Sequence, residues 1–184
     1  MKLGLVRHAE TDAAAGLCYG RTDVSVPPEA MRTLAERIAP QLAEGIEEIV
    51  CSPLQRCAGL AQAIAALRPD LALRTDARIA EMDFGSWEGR SWSSIERSEF
   101  DAWTRSFADA RAGGSGESTR AFMQRVGEAF DAWRGAGRDA LWITHAGVIR
   151  AVWLLREGVR CAERADQWPA QSIAFGEYLS VELP

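Results

Sequence analysis

Two stretches decide the fold: Leu3-Gly4-Leu5-Val6-Arg7-His8 and Ala140-Leu141-Trp142-Ile143-Thr144-His145. Each is an apolar run of strand length that ends in histidine, and these are the only two histidines among 184 residues. If the two strands are neighbours in one sheet, both imidazoles meet at its carboxyl edge, where open α/β sheets place their ligands.

Working outward, strand and helix signals alternate. A loop from Thr11 to Pro28 precedes a helix expected over about Glu29 to Leu42, with Pro27 and Pro28 where a helix start tolerates proline. A strand follows at Glu48 to Cys51. Ser52-Pro53-Leu54-Gln55 has the spacing of a capping box, and Leu54, Cys57, Ala58, Ala61, Ile64 and Ala65 keep a helical period to about Leu67. Leu71 to Thr75 reads as a strand, and Ile79 to Phe84 as a strand end or a loop at the site.

From Trp87 to Arg111 the pattern is broken and aromatic; Trp92, Phe100, Trp103 and Phe107 suggest a helical face lying over the sheet edge as a cap. Gly113 to Gly116 reads as a flexible break. Ser118 then looks like the N-cap of a helix to about Arg134. After the second histidine, a helix is expected over Val148 to Arg156, then strands at Ser172 to Phe175 and Tyr178 to Leu183. Helical crossovers between the earlier strands imply a mostly parallel mixed sheet covered on both faces, a three-layer α/β/α sandwich. The length fits a single domain over 1-184, with residues about 86-117 as a capping insertion.

Composition narrows the function. A net charge of −5 argues against a nucleic-acid footprint. The cysteines, Cys18, Cys51, Cys57 and Cys161, show no CxxC spacing, and two histidines without clustered carboxylates make a poor metal site. No run approaches the ~18 apolar residues of a membrane span, and a strand within three residues of the start leaves no room for a signal peptide, so a cytoplasmic protein is expected.

The candidate chemistry lies near the histidines. Arg7 precedes His8 and can turn toward the same pocket where the strand frays. Arg56 falls in the first turn of its helix, where the dipole disfavours a cation unless an anion sits between them, and the helix amides would serve that same anion. Glu81 lies among apolar residues in Ala80-Glu81-Met82-Asp83-Phe84-Gly85, a setting suited to a general acid; Asp83 or Glu88 could take that role instead. No G-x-x-x-x-G-K-[ST] loop exists, and Ser115 makes no nucleophile elbow because Glu117 occupies the second glycine position. Two histidines, two arginines and one protonatable carboxylate suit a phosphate ester.

At these residues the chain resembles the histidine phosphatase superfamily, which includes cofactor-dependent phosphoglycerate mutase. Leu5-Val6-Arg7-His8-Ala9-Glu10-Thr11 resembles its Arg-His-Gly signature, Cys51-Ser52-Pro53-Leu54-Gln55-Arg56-Cys57 its second arginine motif, and Thr144-His145-Ala146-Gly147-Val148-Ile149-Arg150 its second histidine motif. The resemblance implies a phosphoglycerate mutase-like fold and a metal-independent, cofactor-free phosphoric monoester hydrolase. By it, His8 is the phosphorylated nucleophile and Glu81 the proton donor; Arg7, Arg56, a protonated His145 and Thr11 bind the substrate phosphate. Ala9 and Ala14 depart from the pattern, the second putting a phosphate contact in doubt. Within the superfamily, the segments Gly16 to Val24, Glu81 to Trp92 and Gly116-Glu117-Ser118 resemble α-ribazole phosphatases of cobalamin assembly. A broader sugar phosphate phosphatase is the alternative, followed by a mutase or a non-catalytic phospholigand-binding protein. The short chain speaks against a mutase. The expected partner is a small-molecule phosphate monoester, with neither nucleic acid nor membrane, and a homodimer is left open.

Overall fold

The computed structural model describes residues 1–183. Its sheet comprises β1 (Lys2–Arg7), β2 (Ile46–Cys51), β3 (Ala72–Thr75), β4 (Asp139–Thr144) and β5 (Tyr178–Glu182), in the order β3-β2-β4-β1-β5. The first four are parallel, and β5 closes the edge antiparallel to β1. The α-helices are α1 (Pro28–Ile38), α2 (Gln55–Leu67), α3 (Arg97–Arg105), α4 (Thr119–Ala136) and α5 (Ala146–Arg156).

The pleat explains the three layers. Leu3, Leu5, Val50, Ala140 and Trp142 point to the face covered by α4 and α5, whereas Val6, Ile49, Cys51, Leu141 and Ile143 point to the face covered by α1 and α2. Because both sets are apolar, the central strands read as continuous hydrophobic runs and cannot face water on either side. The mostly parallel α/β/α sandwich is the architecture expected from the sequence.

Several local expectations are corrected. Helix α1 stops at Ile38 and passes into a 3-10 turn, Ala39–Gln41, because Pro40 has no amide hydrogen to continue the helical ladder. Ser52 does not cap α2; the helix begins at Gln55, whose amide donates to Asp23 Oδ1 at 2.8 Å. Residues Ser172 to Phe175 form no strand. Arginines take the neighbouring carbonyls, Arg7 Nη1 donating to Ile173 O at 2.5 Å and Arg150 Nη2 to Gln171 O at 2.9 Å. Ser118 does cap α4, accepting from the Ala121 amide at 3.2 Å, and Gly137 ends that helix in the left-handed region.

Gly113 to Gly116 is a packed turn, not a flexible break. A Cβ at Gly113, which has φ +54°, would overlap the Phe84 carbonyl oxygen, and one at Gly116 would overlap the Asp83 carbonyl oxygen. Glycine is required there so that two backbones can touch. Gly113→Ala is therefore expected to cost roughly 2 kcal/mol or more of stability, from positive φ and overlap together. Urea denaturation measures it; a variant as stable as the parent would contradict the packed turn.

Candidate active site

Strands β1 and β4 are adjacent, with Arg7 paired to Thr144, so His8 and His145 both begin where their strands end. The His8 amide donates to Thr144 O at 3.0 Å, and the two rings lie 5.2 Å apart, edge to face. Both are buried. His8 Nδ1 lies 2.7 Å from its neighbour's carbonyl, Ala9 O. A carbonyl can only accept, so Nδ1 carries the proton and Nε2 keeps its lone pair. His145 Nε2 hydrogen-bonds Ser52 Oγ at 2.8 Å, and Cys57 Sγ packs at 3.5 Å from the same nitrogen.

Electrostatics keep both rings neutral. Burial, then the charges of Arg56 and Arg7, push His8 down to about 3, against the hydrogen bond to Ala9 O. Burial, His8 and the surrounding arginines hold His145 well below its ordinary value. Burial and the neighbouring cations thus oppose a proton on His145, and the protonated ring expected from the resemblance requires a phosphate anion to offset them.

Arg56 is fully buried, its Nη1 donating to Thr22 O at 2.8 Å and its Nη2 to Gly20 O at 2.6 Å. Its helix N-terminus is served by Asp23, so the expectation of free α2 amides facing a ligand is corrected at Gln55. Arg7 lies 3.7 Å over the Phe175 ring, which also stacks near His8. Among the described residues, three arginine Nε atoms are buried without a hydrogen-bond partner, at Arg7, Arg56 and Arg150, and none of these side chains joins an ion pair.

A cavity of about 530 Å³ opens over this edge, lined at one end by Arg7, His8, Thr11, Glu81, Gly147 and Arg150. Arg56 and His145 are not among its lining residues. Of the three candidate acids, Glu81 is the one on the wall, its carboxylate taking the Gly147 amide at 3.2 Å and the Met82 amide at 3.0 Å. Glu88 is occupied by the backbone amides of Arg21, Thr22 and Phe84 and by the Thr22 hydroxyl; Asp83 accepts from the Gly85 amide. Ala14 also borders the cavity.

Much of the remaining wall is aromatic, with Trp92, Trp103, Phe107, Phe122 and Trp168 among its residues. Trp87, by contrast, is core, with its Nε1 donating to Glu99 at 2.8 Å. Sequence reasoning missed Ser52 as a histidine partner, Phe175 as a site residue, and Arg150. Only Arg150 carried a signal, standing inside the second histidine block.

The neutral rings make a pH prediction. An unfolded imidazole takes up a proton below about pH 6.5 and the buried ones do not, so the unfolded state gains protons and stability falls as pH drops toward about 3. The His8 ring contributes a slope of about 1.4 kcal/mol per pH unit in that window, and the lowered His145 acts in the same direction. Urea unfolding at stepped pH should show it, with one ring's share removed in His8→Asn; an unchanged slope in that variant contradicts the assignment.

Compared with known proteins, residues 3–170 match the profile of the histidine phosphatase superfamily (branch 1). No protein with a curated description matches the sequence. The α-ribazole phosphatase from Shigella flexneri is similar in structure, with TM-score 0.78 and 25% identity over 100% of this chain and 91% of that one. TTHB049 from Thermus thermophilus has TM-score 0.72 and 29% identity over 100% and 95%. Mycobacterial glucosyl-3-phosphoglycerate phosphatase shares the fold, with TM-score 0.78 and 24% identity over 98% and 92%. With nearly the whole chain matched to the profile and its histidines meeting as the motifs require, the protein belongs to the histidine phosphatase superfamily (branch 1) and is a phosphatase.

Proposed function

We propose that the protein is a metal-independent phosphomonoesterase acting through a phosphohistidine at His8, with α-ribazole 5′-phosphate of cobalamin assembly as its substrate. The observation that carries the chemistry is the state of His8: a neutral ring, Nδ1 tied to Ala9 O, leaving Nε2 as a nucleophile beside Arg7.

In the first step the Nε2 lone pair attacks phosphorus in line and the bond to the leaving-group oxygen breaks. Protonated Glu81 gives its proton to that oxygen. In the second step water attacks the phosphoryl group, its proton passes to the Glu81 carboxylate, the P–N bond breaks, and inorganic phosphate leaves. Arg7, Arg56 and His145 stabilise the phosphoryl charge, and Thr11 contacts the substrate from the wall. Arg7 and Arg150 line the cavity, and no described carboxylate pairs with either. Fixed guanidinium charge in a water-poor pocket supplies the electrostatic work that a cation does elsewhere.

The aromatic wall supports the substrate assignment, since indole and phenyl faces suit the flat benzimidazole of α-ribazole. Residues about 86–117 act as the cap that carries much of this wall, within one domain spanning the chain. No described helix is long and apolar enough to cross a membrane; the proposed pathway places the enzyme in the cytoplasm with a small-molecule partner.

Three outcomes are expected in assays of phosphate or leaving-group release. Chelator leaves activity intact, and a strict dependence on added magnesium would sink the mechanism. His8→Ala abolishes turnover. In the first turnover, before water attacks, Glu81→Gln slows release of the alcohol from alkyl phosphates by about 10²-fold or more while sparing release of p-nitrophenol, a leaving group that needs no proton; equal losses in that step would remove Glu81 as donor. For the substrate, α-ribazole 5′-phosphate should outrun a panel of sugar and nucleotide monophosphates, and even rates across the panel would favour the broad-specificity reading.

A further inference from the structure

Glu81 lies on a segment with no regular hydrogen-bonding partner, between the 3-10 turn Ala77–Ile79 and the glycine turn at Gly85. Buried carbonyls on such a segment need donors from elsewhere. Thr144 Oγ1 donates to Ile79 O at 2.7 Å. Arg125, on α4, supplies the others: its Nη1 donates to Arg78 O and Ala80 O, each at 2.8 Å, and its Nη2 to Glu81 O at 2.9 Å.

The same guanidinium grips Glu117 in a fork, Nε to Oε1 at 2.7 Å and Nη2 to Oε2 at 2.8 Å. Glu117 in turn holds the far side of Glu81, accepting the Asp83 amide at 3.0 Å, while its own amide donates to Asp83 O at 2.7 Å. Gly116 must be glycine for these backbones to meet. Both charged side chains are largely buried, at 18% and 17% exposure. Five donors in a rigid plane can satisfy three carbonyls and a carboxylate together, and lysine cannot.

We propose that Arg125 and Glu117 are positioning residues that set Glu81 for proton transfer, so that these two side chains serve the chemistry without touching substrate. This rests on the assignment of Glu81 as proton donor. The carboxylate's own contacts, the Gly147 and Met82 amides, fix its oxygens only while the backbone at Glu81 stays in place.

The test compares leaving-group release in the first turnover, the step in which Glu81 donates, from an alkyl phosphate and from p-nitrophenyl phosphate by the wild type, Arg125→Lys, Glu117→Gln, Glu81→Gln and the Glu81→Gln/Arg125→Lys double variant. Glu117→Gln keeps size and an acceptor, and serves if Arg125→Lys does not fold. A donor displaced by about 1 Å is expected to cost about 10²-fold on the alkyl ester and much less on the aryl ester. In the double variant the alkyl rate should be no lower than in Glu81→Gln alone, because the clamp acts only through Glu81. Equal losses on both esters in the clamp variants, or losses that multiply in the double variant, overturn the positioning role. If Glu81→Gln itself lowers both esters equally, the donor assignment fails instead.

Discussion

The parallel pairing of β1 with β4 is the constraint on which the site depends. Register alone sets Arg7 against Thr144, and the next residue on each strand is a histidine. Because the sheet is buried on both faces, a shift of one residue would send every apolar side chain of a strand to the opposite layer. The core therefore fixes the register, and the register fixes the 5.2 Å between the rings. The chemistry inherits its precision from packing.

A second constraint is electrostatic. Two neutral imidazoles and a fully buried guanidinium share this edge, together with Arg7, and burial drives the histidines toward their uncharged forms. Three unpartnered arginine Nε atoms surround it, each costing free energy while it lacks an acceptor. In the proposed reading, a phosphate ester supplies the negative charge that this cationic edge lacks. The carbonyls of Gly20 and Thr22 hold Arg56 in readiness, and Glu88 ties that loop to Phe84 on the side of the proposed acid. One loop thus links the Arg56 guanidinium to the segment that carries Glu81.

Much of this was legible in the sequence because local pattern and global fold agree. Histidine after an apolar run marks both the strand ends and the meeting point, and Ser118 and Gly137 behave as their residue types dictate. What was not legible depends on tertiary partners. Ser52 has the residue type and spacing of a helix cap, yet its hydroxyl belongs to His145, and Asp23 takes the helix amide. Ser172 to Phe175 has the composition of a strand, but arginines from β1 and α5 claim the neighbouring carbonyls and Phe175 turns onto Arg7. Glycines at 113 to 116 look flexible when the backbone they touch, at Asp83 to Trp87, is out of view. In each case the deciding contact is long-range, and no periodicity reports it.

Covalent phosphorylation of neutral His8 is the central claim. The direct measurement is rapid alkaline quenching during turnover, followed by peptide mass spectrometry. A base-stable, acid-labile phosphoryl group is expected on the peptide bearing His8, and none in His8→Ala. Steady phosphate release with no phosphorylated His8 peptide at any quench time, and with release persisting in His8→Ala, would contradict it.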